Sequence, residues 1–121
     1  VFGDGKQTRD YVYVEDVAHA NYLAATKRLP PPGPLDARSF NIGTAVETSV
    51  LQLAELIRDA SGTSPVIEHA PERAGEVLRS VLLPTRAQNV LGWTPRTSIA
   101  DGIAKTYKWF AAEHESAAST A

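Results

Sequence analysis

Val1-Phe2-Gly3-Asp4-Gly5-Lys6-Gln7-Thr8-Arg9-Asp10-Tyr11-Val12-Tyr13-Val14-Glu15-Asp16-Val17-Ala18 changes pattern twice within a short span. Gly3-Asp4-Gly5 is a polar turn. Tyr11 to Val14 are aromatic and β-branched, which predicts a strand. The period shifts at Glu15 and Asp16, whose carboxylates suit the positive end of a helix dipole. Arg9 stands just before the expected strand, a positioned cation for an anionic ligand. The segment starts abruptly and the chain contains no Met, so the expectation is a piece cut from a longer protein.

Beyond this segment, strand and helix signals alternate. The first helix is expected to present Val17, Asn21, Ala24, Ala25 and Leu29 on one face and to end before Pro30. Pro30-Pro31-Pro32-Gly33-Pro34 fits neither a helix interior nor a central strand and reads as a stiff loop. Phe40-Asn41-Ile42-Gly43 predicts a short buried strand. Ser49 and Gln52 form a capping box for a helix with Val50, Leu53, Leu56 and Ile57 on its apolar face. Gly62 is the expected residue closing that helix. Val66 to His69 predicts another strand. Pro84 suits the start of a short helix reaching Leu91, with Gly92 behind it. Ser98 and Asp101 cap a last helix bearing Ile99, Ile103, Tyr107 and Phe110. Residues 116–121 have nothing to bury and are expected to be a disordered tail. The reading is an α/β unit over residues 1–115, with three short strands and about four helices.

Composition bounds the function. The chain has 121 residues, 43% hydrophobic and 21% charged, enough for one modest domain. A net charge of −2 supplies no basic field for nucleic acid. The absence of cysteine excludes disulfides and thiolate metal sites. No apolar run approaches the roughly 20 residues of a membrane helix. His19, His69 and His114 are scattered without metal spacing. There is no Gly-x-x-Gly-x-x-Gly loop to cradle a dinucleotide, and no Tyr-x-x-x-Lys pair. The chain is therefore expected to hold no catalytic, cofactor-binding or metal-binding residue of its own.

Two arginines remain. Arg9 precedes the strand, and Arg73 sits in the turn-prone Pro71-Glu72-Arg73-Ala74-Gly75-Glu76. A guanidinium fork suits phosphate oxygens, contributing about 1.5–3 kcal/mol per charge-assisted bond. The alternative is surface pairing with Asp10, Glu72 or Glu76, worth about 0–1 kcal/mol each. By residue type alone the ion-paired reading is the plainer one.

Four separated motifs shift that balance. They are Gly3 to Val17, then Phe40-Asn41-Ile42-Gly43-Thr44 with Thr48-Ser49-Val50, then Arg73-Ala74-Gly75-Glu76, then Leu91-Gly92-Trp93-Thr94-Pro95. As an ordered set they resemble the C-terminal part of the extended short-chain dehydrogenase/reductase family. The branch is that of NAD-dependent sugar-nucleotide epimerases and dehydratases, above all the UDP-glucose 4-epimerase type. The resemblance implies a nucleotide-sugar-binding role. Arg9 and Arg73 would grip the diphosphate, Tyr11 and Val50 would line the nucleotide pocket, and Glu76 would meet the ribose hydroxyls. Asp10 would orient Arg9, and Asp16 would start the helix. Asn41 and Gly43 would sit in a strand and turn facing an N-terminal Rossmann domain. That domain would bind NAD and carry the catalytic residues. A homodimeric parent is also expected, with the cytoplasm as the default compartment. Two departures stand out: Gly43-Thr44-Ala45 replaces the family's Gly-Thr-Gly, and Leu82-Leu83 replaces an expected Asp cap.

Two alternatives stay open. The same portion could serve a dTDP-glucose 4,6-dehydratase or another nucleotide-sugar dehydratase or reductase. From another class, the chain could be a non-catalytic binding module.

Overall fold

A computed structural model describes residues 1–31, 33 and 38–118, with the side chains of 115–118 left aside. Part of the proline-rich loop, at 32 and 34, lies outside the described residues. Strand β1, Thr8–Arg9, pairs antiparallel with β2, Thr48–Ser49, in the register Thr8 to Ser49 and Arg9 to Thr48. Three helices follow the expected order: α1, Val14–Thr26; α2, Val50–Ser61; and α3, Ile99–Ala118. A fourth helical segment, Ala87–Leu91, winds as a π-helix. The result is a small α/β unit.

The expected strands are where the reading needs correction. Tyr11 to Val14 form no strand, because α1 already begins at Val14. Tyr13 is extended, with φ −72° and ψ 143°, as its β propensity dictates, but it meets no ladder partner. Phe40 to Gly43 and Val66 to His69 are likewise outside any strand. β propensity selects extended backbone; a strand also needs a neighbour. Here the neighbours come from elsewhere, through parallel bridges joining Phe2 to Ala70 and Thr8 to Arg79.

Helix ends follow local chemistry. The Ser49 hydroxyl accepts from the Gln52 N–H at 3.1 Å, and the Gln52 side chain accepts from the Ser49 N–H at 2.9 Å. That reciprocal pair is the expected capping box. Gly62 closes α2 at φ 64°, a left-handed conformation that costs glycine nothing. Ser98 caps α3 by accepting from the Asp101 N–H at 3.1 Å. Helix α3 runs through Ala118, past the point where a tail was expected; 119–121 lie outside the described residues.

The core lies between α1 and the π-helical segment. Ala20, Ala87, Leu91 and Trp93 are buried, with Leu23, Ala24, Phe40 and Ile42 packed around them. The buried line of α1 runs through Asp16 and Ala20 rather than Asn21 and Ala25, which are exposed. On α2, Ile57 also stays exposed, at 45%. Helices α2 and α3 pack on each other. Among the described residues, no helix is long and apolar enough to cross a membrane.

Candidate functional site

Thr8, the first residue of β1, sets up the site. Its N–H donates to the Leu78 carbonyl at 2.8 Å, and its own carbonyl accepts from the Ser80 N–H at 3.2 Å. These bonds bring the Arg73–Arg79 segment alongside Arg9. The Arg9 Nη1 donates to the carbonyls of Val77, at 2.6 Å, and Thr8, at 2.7 Å. Its Nη2 lies 3.6 Å from Glu76 Oε1. The guanidinium is thus fixed by backbone on one side and faces a carboxylate on the other.

Glu76 lines a cleft of about 280 Å³ with Phe2, Gly3, Asp4, Gln7, Glu72 and Leu78. Phe2 is one wall, and the Arg73 guanidinium lies over its ring, with Cζ 3.6 Å from the centroid. The cleft carries three carboxylates, Asp4, Glu72 and Glu76. Arg9 and Arg73 are beside it, and Lys6 pairs with Asp4 at 3.2 Å. These local charges balance. An anion there would be held by directed guanidinium hydrogen bonds rather than by a broad positive field.

Of the expected site residues Glu76 lines the cleft, while Arg9 reaches its edge through Glu76 and Arg73 through Phe2. The structure does not bring Tyr11 or Val50 into the cleft lining. Tyr11 lines a separate groove of about 650 Å³, with Tyr13, Gly102, Ile103, Trp109 and Phe110 among its neighbours. Val50 is half-buried at the head of α2 and donates its N–H to the Gln7 carbonyl at 3.2 Å. Sequence reading did not single out Phe2. The one signal for it was an aromatic residue beside the Gly3 turn.

Asp10 has a different task from the one expected. It accepts from the Thr44 hydroxyl at 2.6 Å, the Thr44 N–H at 2.8 Å, the Ala45 N–H at 3.0 Å and the Leu82 N–H at 3.2 Å. None of these is Arg9. Partial burial works to raise its pKa, but the bonds from Thr44, Leu82 and Ala45 outweigh it and hold the carboxyl below its ordinary value. Gly43 belongs to this junction: a Cβ there would stand 2.7 Å from Asp10 Oδ2 and 2.8 Å from Leu82 Cβ. It therefore packs within this unit.

A nicotinamide dinucleotide needs a glycine-rich turn running into a helix N-terminus. Helix α1 follows Tyr13 and α2 follows Ser49, so neither entrance is built that way. The described residues do not fit that cofactor.

The architecture is that of the extended short-chain dehydrogenases/reductases. A UDP-glucose 4-epimerase of Thermotoga maritima, solved with UDP-glucose, matches with a TM-score of 0.81 and 38% identity, over 93% of this chain and 34% of that one. MoeE5, solved with UDP-glucuronic acid and NAD, matches with a TM-score of 0.82 and 31% identity, over 93% of this chain and 36% of its own. A UDP-glucose 4-epimerase of Mycolicibacterium smegmatis is 46% identical over 110 residues, 91% of this chain and 33% of that protein. The chain thus spans about a third of the length of the relatives it matches. The family described as GDP-mannose 4,6 dehydratase matches residues 1–106, and the chain belongs to it.

Proposed function

We propose that this chain is the nucleotide-sugar-binding portion of an NAD-dependent 4-epimerase of the UDP-glucose type. The observation carrying the reading is that Arg9 contacts Glu76 and Arg73 contacts Phe2, two residues lining the same cleft. A nucleoside diphosphate brings about two negative charges, and two guanidinium groups match them in number. Binding energy collected on this remote group orients the sugar for chemistry elsewhere. NAD supplies hydride transfer when bound to an N-terminal Rossmann domain. No residue of this chain takes part in that step. The complete protein is taken to be a cytoplasmic homodimer.

Titrating UDP into the complete protein, with and without Arg73→Ala, tests the reading. A loss of tenfold or more in affinity is expected. An unchanged affinity removes the diphosphate role.

The family's dehydratase description favours a second reading, the same portion of a nucleotide-sugar 4,6-dehydratase such as the dTDP-glucose enzyme. Product analysis with UDP-glucose and dTDP-glucose separates the two, since a released 4-keto sugar is a dehydratase product.

A further inference from the structure

The Phe2 main chain is held firmly while the residue stays 39% exposed. Phe2 bridges to Ala70, and the flanking Gly3 N–H donates to the Ala70 carbonyl at 2.9 Å. The Phe2 carbonyl accepts from the side chain of buried Gln7 at 3.1 Å. Arg73 has no comparable anchor in its own turn. The turn is exposed at Arg73, and the Glu76 N–H closes it by donating to the Arg73 carbonyl at 3.3 Å. A long side chain on such a turn samples many rotamers. The contact between the Arg73 guanidinium and the Phe2 ring, at 3.6 Å, narrows that choice. A guanidinium stacked by its face on a ring still offers its in-plane N–H edges to an acceptor.

We propose that Phe2 is a positioning residue for Arg73: its ring is a fixed platform that presents the guanidinium edge to a diphosphate in the cleft. This rests on the reading that Arg73 grips the diphosphate. The ring needs no contact with the ligand. Its effect passes through Arg73 alone, so a ring that keeps its π face keeps the effect.

Calorimetric titration of UDP into the complete protein tests this, using Phe2→Leu, Phe2→Tyr, Arg73→Ala and the double variant. Phe2→Leu is expected to weaken UDP about two- to fivefold, the span of an exposed cation–π contact. Phe2→Tyr is expected to stay within about twofold of the parent, because the π face is kept. In the Arg73→Ala background Phe2→Leu should change nothing further. If Arg73→Ala leaves UDP binding intact, the diphosphate reading itself fails. If Arg73→Ala weakens binding and Phe2→Leu does not, the positioning role alone fails. It also fails if Phe2→Leu weakens UDP equally in both backgrounds. Circular dichroism melting checks folding first, and Phe2→Met replaces Phe2→Leu should the latter not fold.

Discussion

Trp93 donates its indole N–H to the Asp16 carbonyl at 2.8 Å, and both residues are buried. The Asp16 carboxylate meanwhile accepts from the N–H groups of Thr97, at 2.9 Å, and Arg96, at 3.1 Å. The first turn of α1 is thereby tied to the segment leading into α3. Trp93→Phe removes the second hydrogen bond at a carbonyl that also serves the α1 ladder, worth about 0.5–1.5 kcal/mol, and leaves part of the indole volume empty. A total loss of about 1–3 kcal/mol is expected from urea denaturation followed by circular dichroism. No measurable loss would show that this tie between α1 and the segment leading into α3 contributes nothing to stability.

Ala45 is the non-glycine residue with positive φ among those described, at 60°. The Asp10 bonds to Thr44 and Ala45 pin the turn, so Ala45 cannot relax. A left-handed conformation costs an L-residue about 1–2 kcal/mol. Glycine removes that strain but adds about 0.5–1 kcal/mol of unfolded-state entropy. Ala45→Gly should therefore stabilise the fold by about 0.5–1 kcal/mol, read as a rise of a few degrees in Tm. A fall in Tm would mean that the turn tolerates Ala45 without strain.

What was legible in the sequence was local. The Ser49–Gln52 box, the Gly62 cap and the Ser98–Asp101 cap rest on residues within a few positions of one another, and all formed. The strands were not legible, because Thr8 pairs with residues near 49 and 79 while Tyr11 pairs with none. The site divides in the same way. Arg9, Arg73 and Glu76 were readable as residue types in a motif set. The role of Phe2 depends on the Ala70 bridge, which joins segments that no local pattern connects. The four bonds of Asp10 are equally non-local, which is why it was assigned to Arg9, its chain neighbour.

Glu47 links β1, β2 and the segment at Arg79. One oxygen accepts from the Arg79 Nε at 3.0 Å and the Thr8 hydroxyl at 2.6 Å; the other accepts from Arg79 Nη2 at 2.6 Å. The Arg79 bonds, then the Thr8 bond, lower its pKa from 4.5 to about 2. A folded-state pKa below the unfolded value adds stability above the unfolded value, which is lost as pH falls. The window here runs from about 4.5 down to about 2. Asp10, lowered from 3.8, acts in the same direction. Glu47→Gln should flatten the dependence of Tm on pH in that range and leave only the contribution of other carboxyls. An unchanged acid slope would mean that solvent screens the Arg79 pair completely.

Glu76 faces Arg9 with one oxygen, and its side chain is only 23% exposed. A carboxylate has about four acceptor sites, so capacity remains for a vicinal diol. Two ribose hydroxyls would donate there, and a 2′-deoxyribose would offer one fewer. A hydrogen bond to a charged group contributes about 1.5–3 kcal/mol, so the parent should prefer UDP over 2′-deoxy-UDP by about tenfold or more. Glu76→Ala removes the acceptor and also frees the Arg9 edge, so absolute affinity moves for both ligands. The ratio isolates the hydroxyl. It should fall towards one in Glu76→Ala and stay intermediate in Glu76→Gln, whose amide oxygen still accepts. A ratio unchanged by Glu76→Ala would assign the ribose to other residues and leave Glu76 as the counter-charge of Arg9.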